Sequence, residues 1–188
     1  GNGRLTYTPN ANANGSDSFT RCPDDGTVDV TETISVAIAA VNDAPTITTT
    51  TTSLTTDEDT ATGAIAFSGS DVDGDVLTFS FSDPAKGSVI DNGDGTFTYT
   101  PDANANGSDS FTITTNDGTV DVTETISVAI AAVNDAPTGA VTISGTTTEG
   151  EVLTAVSTLA DVDGLGTLSY QWSEGGVAIS GATSSTFT

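Results

Sequence analysis

The strongest constraint on the fold is a repeat inside the chain. Residues 1–45 and 93–137 align without a gap, and 37 of the 45 positions are identical. Both copies end in VNDAP, and the interval between them is 92 residues. That interval is too long for a unit of a small solenoid, and it suits one complete β-sandwich.

The repeat divides the 188 residues into three predicted segments. Residues 46–137 form one complete repeat. Residues 1–45 are the C-terminal half of the repeat before it, and residues 138–188 are the N-terminal part of a unit of another kind. Because the chain begins without Met and both end segments are partial repeats, we expect it to be an interior piece of a longer protein.

Apolar residues alternate with Thr and Ser through the complete repeat, as in Phe79 and Phe81 or in Ile126, Val128 and Ile130. A period of two predicts strands with one buried face. No segment has a helical period, and turn sequences separate the strands. We predict an all-β fold of tandem immunoglobulin-like Greek-key sandwiches with about seven strands per repeat, in which the two flanking repeats are truncated.

Several local predictions follow from the same pattern. The Thr-rich residues 46–56 are expected to form the first strand, and the DNGDG sequence at residues 91–95 a hairpin turn. In the last segment, VTISG (141–145) and LSYQW (168–172) are expected to be strands. Trp172 is expected to lie in the core of that unit, and a ligand-stacking role is the alternative.

The composition excludes several classes of function. With 3 basic and 26 acidic residues, the chain has a formal net charge of −23, which repels nucleic acids and anionic membranes. It has no His, and Cys22 is its one thiol, which excludes His-based triads, Cys/His dyads and Cys/His zinc sites. No apolar stretch is long enough to span a membrane, so we expect no membrane insertion in this segment.

Acidic and amide side chains gather at the two ends of the predicted sandwich. The entering linker, the DVDGD loop and the NDG loop share one end, because strands alternate in direction. Together they supply Asn42, Asp43, Asp71, Asp73, Asp75, Asn116 and Asp117. The other end supplies Asp57, Glu58, Asp59, Asp102, Asp109, Asn134 and Asp135, and a second DVDG sequence beyond it supplies Asp161 and Asp163.

Such clusters favour a bound cation. Two carboxylates about 4 Å apart repel by roughly 4 kcal/mol at an effective dielectric near 20. Ca²⁺ prefers six to eight hard oxygen ligands. We therefore predict Ca²⁺ at both ends of the sandwich, that is, at the first joint, where residues 1–45 meet residues 46–137, and at the second joint, where residues 46–137 meet residues 138–188. The alternative for a single D-x-D-G loop is an ordinary polar turn. An EF-hand is excluded, since DVDGD lacks the Gly at the sixth loop position and the flanking helices.

Several motifs resemble the bacterial cadherin-like tandem repeats of giant surface adhesins. They are DEDT (57–60), DVDGDVLTFS, GDGTFTYTPDANANGSDSF and VNDAP, and they cover residues 1–137. Residues 138–188 resemble a different immunoglobulin-like repeat of the same adhesins. The resemblance implies a calcium-rigidified extender at the cell surface, with Ca²⁺ ligands at Asn42, Asp43, Asp71, Asp73 and Asp117 around the first joint. Around the second it implies Glu58, Asp109, Asn134, Asp135, Asp161 and Asp163.

The sequence is also compatible with two other functions. One is a polysaccharide-binding accessory module of a secreted protein, whose signature is a row of exposed aromatic side chains. The other is an enzyme with paired carboxylates, which the absence of His makes the weaker hypothesis, so we expect no enzyme. The expected partners are neighbouring repeats of the same chain, with surface glycans or proteins bound through a tip domain outside this segment.

Overall fold

All regular secondary structure in the computed structural model is β-strand, within the residues that it describes, 4–23, 26–28 and 30–188. The predicted all-β fold is therefore confirmed. The chain divides into two compact units, Gly1–Ile130 and Ala131–Thr188. The three-segment division by repeats stays a prediction. Within the described ranges, no helix is long and apolar enough to cross a membrane.

The strands of the first unit are, in chain order, β1 (Gly15–Arg21), β2 (Glu32–Ile38), β3 (Thr46–Thr49), β4 (Ser53–Asp57), β5 (Ile65–Ser70), β6 (Thr78–Phe81), β7 (Gly87–Asp91), β8 (Thr96–Pro101), β9 (Gly107–Asn116) and β10 (Asp121–Ala131). Strands β1 and β2 form an antiparallel hairpin. The others form two four-stranded sheets, with the orders β3-β5-β8-β7 and β4-β10-β9-β6. The connections β6–β7 and β8–β9 pass from one sheet to the other, which places successive strands in a sandwich.

The alternating apolar residues of the two four-stranded sheets form one core. Phe97 and Tyr99 of β8 face Phe111 of β9, and the Phe97 and Phe111 rings lie 5.5 Å apart in an edge-to-face arrangement. Such aromatic pairs add to the stability that comes from burying their area. The buried apolar side chains are Leu54, Phe67, Phe97, Tyr99, Phe111, Ile113, Ile126, Val128 and Ile130. The predicted period of two therefore identified the inward faces of these strands.

The Thr-rich segment differs from its prediction. Residues 46–56 form two strands instead of one, because β3 pairs with β5 in one sheet and β4 belongs to the other. Between them, the Thr50 N–H donates to the carbonyl of Ala66 and the Thr52 carbonyl accepts from Ser127. The crossing satisfies backbone groups in both sheets, which a single straight strand does not do.

The two copies of the repeat have the same local geometry. Gly15 pairs with Ile38 in the β1–β2 hairpin, and its counterpart Gly107 pairs with Ile130 in β9–β10, so the register is identical. The copies differ in what surrounds them. Residues 96–101 form β8 between two neighbouring strands, whereas the corresponding residues 4–9 form no strand. Strand formation in this sequence therefore depends on its neighbours.

A tyrosine–aspartate pair anchors the core of the complete repeat. The Tyr99 hydroxyl donates to Asp109 Oδ2 at 2.8 Å, and backbone N–H groups of Ala85, Lys86 and Ser110 donate to the same carboxylate. Although burial by itself acts to raise it, these hydrogen bonds lower the pKa of Asp109. Burial, and then the hydrogen bond to Asp109, raises the pKa of Tyr99. The Asp109 carboxylate of β9 thus connects the residues just before β7 with Tyr99 of β8 through hydrogen bonds.

The second unit contains β11 (Val141–Ser144), β12 (Leu153–Ser157), β13 (Ser173–Glu174), β14 (Val177–Ala178) and β15 (Thr186–Phe187). Strands β11, β12 and β15 form one sheet and β13–β14 a small hairpin. The strand predicted at VTISG is confirmed as β11. The one predicted at LSYQW is wrong, because residues 168–172 have no strand ladder; only Trp172 exchanges backbone hydrogen bonds, with Ala182 and Ile179.

Trp172 is half-buried in this unit rather than enclosed in a core. Its ring stacks on Phe187 at 5.5 Å, and its Nε1 donates to the carbonyl of Ser184 at 2.9 Å. The indole thus packs between strand ends, and its polar atom has a partner.

We predict that Tyr99→Phe lowers the free energy of unfolding by about 2 kcal/mol, because a buried hydrogen bond to a charged group is lost. The matched control is Tyr7→Phe, since Tyr7 donates to Asp17 in the other copy at a more exposed position and its loss should cost less. Urea unfolding of both variants makes the comparison. Equal effects would contradict the structural role of the Tyr99–Asp109 pair.

The same pair predicts a dependence on pH. The folded-state pKa of Asp109 lies below its unfolded value of about 3.9. Its stabilisation is therefore present above that unfolded value and is lost as the pH falls through the folded pKa. The difference in the free energy of unfolding between the wild-type chain and Tyr99→Phe should therefore become smaller below about pH 4. Urea unfolding at several pH values measures it, and a difference that stays constant into acid would contradict the assignment.

Candidate metal centre

The loop between β5 and β6 folds around the carboxylate of Asp71. Asp71 Oδ1 accepts the backbone N–H of Asp73 at 2.8 Å and that of Asp75 at 3.4 Å. Gly74 has a φ of 80°, a left-handed conformation that L-residues with a side chain rarely adopt. The spacing D-x-D-G-D therefore brings three carboxylates together on one small loop.

The three carboxylates of this loop lie close enough to share an ion. Asp71, Asp73 and Asp75 each contribute one oxygen to a group whose atoms are all within 4.8 Å of one another. Charges at this separation repel, although solvent screens the exposed Asp73 and Asp75. Asp71 Oδ2 is buried and has no hydrogen-bond partner among the described residues. A buried carboxylate oxygen without a partner is costly, and a cation is the partner that fits it.

The linker before β3, which contains Asn42 and Asp43, is hydrogen-bonded to this loop through its backbone. The Asp43 N–H donates to Asp73 Oδ2 at 2.7 Å. The Asn42 amide donates to the carbonyl of Asp43 at 2.9 Å and to Asp117 Oδ2 at 2.9 Å. Two neighbouring linker residues thus contact both the loop after β5 and the turn between β9 and β10.

Asp117 organises the turn that follows β9. Its Oδ1 accepts the backbone N–H groups of Thr119 and Val120, both at 2.7 Å, and the Thr119 hydroxyl at 2.9 Å. The hydrogen bond from Asn42, followed by that from the Val120 N–H, holds the pKa of the Asp117 carboxyl well below its usual range. Asp117 is therefore ionised at neutral pH and carries a fixed negative charge beside the linker.

The second unit repeats the arrangement. The Asp135 N–H donates to Asp163 Oδ2 at 2.6 Å, and the Asp163 N–H donates to Asp161 Oδ1 at 3.0 Å. The Asn134 amide donates to the carbonyl of Asp135 at 2.7 Å. These are the same three contacts as in the first unit, although the surrounding sequences differ. The one change in the loop is Leu165, which stands where the first loop has its third carboxylate.

The other two predicted ligands lie in the first unit and have structural partners. Glu58 is buried, and its Oε2 accepts a hydrogen bond from the Asn106 amide at 3.3 Å. Asp109 has both oxygens engaged with Tyr99 and with backbone N–H groups. A shared ion for these two residues and the carboxylates of the second unit stays a prediction.

The structure brings together the predicted residues of the first joint, with roles that the sequence did not reveal. Asp43 contacts the loop through its backbone N–H, and Asn42 acts as a hydrogen-bond donor. A cavity of about 270 Å³ beside the linker is also lined by Asn12 and Asn14. Sequence reasoning missed these two amides; the alternating Asn residues of the NANANG loop were the available signal.

Among the described residues, the groups that cluster at this centre are the carboxylates of Asp71, Asp73 and Asp75, so the ligand atoms that they offer are oxygens. Hard divalent cations prefer such a set, and soft metals do not. The orphaned Asp71 oxygen and the clustered carboxylates therefore fit a hard cation at the first joint.

Comparisons with known proteins agree with the fold. Residues 42–132 match the family model of the bacterial cadherin-like domain, a segment that contains β3 to β10. This part of the chain is therefore a cadherin-like all-β domain. No curated protein sequence matches the chain.

Three solved structures are similar to parts of this chain. Human protocadherin-24 EC1-2 has 20% identity and a TM-score of 0.39, with 66% of this chain and 64% of that chain covered. Surface layer protein SbsC, domains 4-9, has 17% identity and a TM-score of 0.39, with 88% and 30% covered. An endo-fucoidan hydrolase from glycoside hydrolase family 107 has 21% identity and a TM-score of 0.35, with 66% and 20% covered. The chain spans less than two thirds of each of these structures.

We predict that Asp71→Asn, measured with a calcium chelator present, raises the free energy of unfolding by up to about 1 kcal/mol, because one of three clustered charges is removed. The amide keeps an oxygen for the N–H groups of Asp73 and Asp75. Asp71→Ala removes that oxygen too and should lower the free energy by about 1 kcal/mol. Chemical unfolding of the two variants tests the prediction, and a destabilising Asp71→Asn would show that the charges do not repel significantly.

Proposed function

We propose that this chain is a segment of calcium-stiffened spacer repeats from a large bacterial surface or secreted adhesin. The observation that carries the proposal is the buried, unpartnered Oδ2 of Asp71, which lies in a loop bonded directly to the linker. An ion held at this position connects the domain to the segment that enters it. The function is then mechanical, since the ion fixes the path of the chain.

Calcium is the cation that this set of ligands favours. Ca²⁺ accepts six to eight oxygens in flexible geometry, whereas Mg²⁺ requires a near-octahedral arrangement and retains its water. The carboxylates of Asp71, Asp73 and Asp75 supply three oxygens within 4.8 Å of one another, and Asp43 of the linker contacts the same loop through its backbone N–H. The strongly acidic composition raises the local concentration of cations around such a site.

Binding would convert a repulsive cluster into a cross-link. Without the ion, the linker contacts the loop through the Asp43–Asp73 hydrogen bond and the Asn42 contacts. With it, carboxylates that repel each other become ligands of one charge. At extracellular-type affinities of roughly 10⁻⁴–10⁻³ M, free calcium at ten times Kd stabilises the folded site by about 1.4 kcal/mol.

The adhesin context rests on the cadherin-like match and on the motifs of the repeat. A surface repeat of this kind has neighbouring repeats as its immediate partners. Surface glycans or proteins would be contacted by a tip domain that lies outside this segment. In the extracellular setting proposed here, calcium is abundant enough to fill sites of modest affinity, which connects the location with the mechanism.

We predict that Asp73→Ala abolishes most of the calcium-dependent rise in melting temperature, because it removes one carboxylate of the cluster and the acceptor for the linker N–H. In chelator its melting temperature should change little, since a lost hydrogen bond and a relieved repulsion oppose each other. Melting curves with calcium and with chelator measure both quantities.

Asp94→Ala is the matched control. Asp94 lies in the hairpin turn between β7 and β8, where its Oδ1 accepts the Thr96 N–H at 3.0 Å and the Thr96 hydroxyl at 2.6 Å. Its removal should lower stability slightly and leave the calcium response unchanged. If the two variants respond to calcium alike, the DVDGD loop is only a polar turn and the proposed function fails.

A further inference from the structure

The β1–β2 hairpin presents an apolar face that lacks the cover found on its counterpart. This hairpin face consists of Tyr7, Phe19, Ile34, Val36 and Ile38, all of which are half-buried. The corresponding residues of the other copy are each at most 4% exposed: Tyr99, Phe111, Ile126, Val128 and Ile130. The same side chains therefore occupy two different environments within one molecule.

The cover in the complete copy comes from residues 46–92, which form β3 to β7. Phe81 of β6 lies 6.4 Å from Phe111, and Leu54 of β4 and Phe67 of β5 belong to the same buried cluster. The register of β9 with β10 equals that of β1 with β2. Over the stretch in which the two registers agree, which ends at Arg21 and its counterpart Ile113, a segment that fits one apolar face therefore has the spacing to fit the other.

We propose that the hairpin face is a docking surface for a polypeptide with the strand pattern of residues 46–92, which completes a second sandwich around residues 4–38. The internal copy identifies this occupant, because it shows the same face already covered by such a segment. The stacked Tyr7 and Phe19 rings support the assignment. Their centroids lie 6.1 Å apart, as do those of Tyr99 and Phe111 in the covered copy.

Docking should also order residues 4–9 as a strand. Their counterparts form β8, which pairs with β5 and β7. Leu5 is 60% exposed where Phe97 is fully buried, because residues 4–9 have no such neighbours in this structure. An occupant that supplies both neighbouring strands would satisfy the backbone of this segment and bury Leu5.

One end of the hairpin face differs from its counterpart. Arg21 replaces the fully buried Ile113, and its Nε donates to Glu32 Oε2 at 2.6 Å. Pro23 replaces Thr115 and has no N–H to give to a docked strand. Strand β6 pairs with β9 at Ile113–Asn116, whose counterparts in sequence are residues 21–24, so a docked strand that corresponds to β6 should retain only the pair with Arg21.

The experiment extends the full chain at its N-terminus with a second copy of residues 46–92. The new junction places Asn92 before Gly1 and so repeats the Asn92–Gly93 sequence of the complete repeat. Hydrogen–deuterium exchange is measured on the extended and the unextended chains. We expect the amides of residues 5–8 to exchange at least tenfold more slowly in the extended chain, at rates close to those of residues 97–100.

Two substitutions in the extended chain separate docking from nonspecific collapse. Val36→Asp places a charge on the hairpin face and should abolish the protection of residues 5–8. Ser35→Asp lies on the opposite face of β2 and should retain it. Protection that is absent in the extended chain, or that survives both substitutions equally, would overturn the proposal.

Sedimentation of the unextended chain tests the alternative in which a second copy of the chain covers the hairpin face. A concentration-dependent dimer that Val36→Asp abolishes would make a second copy of the chain the occupant, and would likewise overturn the proposal. A monomer at all concentrations supports it. None of these outcomes depends on calcium, so this proposal and the proposed spacer function can fail separately.

Discussion

Repulsion among carboxylates that the backbone holds together is the constraint on which the first joint depends. The loop cannot relieve it by opening, because Asp71 accepts the N–H groups of Asp73 and Asp75 and so fixes their spacing. Asp43 of the linker donates its N–H to the Asp73 carboxylate, and this hydrogen bond does not neutralise the charge. A cation bound at the proposed site would offset all three charges at once and would make the stability of the joint depend on the ion concentration.

The sandwich contributes by bringing distant parts of the sequence to this place. The turn of Asp117, between β9 and β10, contacts the linker through the Asn42 amide, and the linker contacts the loop that follows β5 through the Asp43 N–H. Asp117 then orders its own turn through three hydrogen bonds from Thr119 and Val120. The apolar core thus sets the geometry of the charged centre, since it determines which loops meet.

Much of the fold could be predicted from sequence because a period of two and an internal repeat are both local signals. Side-chain alternation identified the inward residues of β8 to β10, and the turn at residues 92–95 followed from its glycines. The rest depended on neighbours. Residues 4–9 and 168–172 have strand-like sequences and form no strands, because strand propensity needs a partner ladder. At the joint, the sequence predicted the residues but not their roles, and the N–H of Asp43 has no signature in a side-chain pattern.

A crystal structure of the chain grown in calcium, with anomalous scattering used to identify the ion, tests most directly whether the DVDGD loop holds a cation. We expect one Ca²⁺ at the first joint, at about 2.3–2.6 Å from Asp71 Oδ2 and from oxygens of Asp73 and the linker. A joint with the same hydrogen bonds, no anomalous peak and water against Asp71 Oδ2 would contradict it.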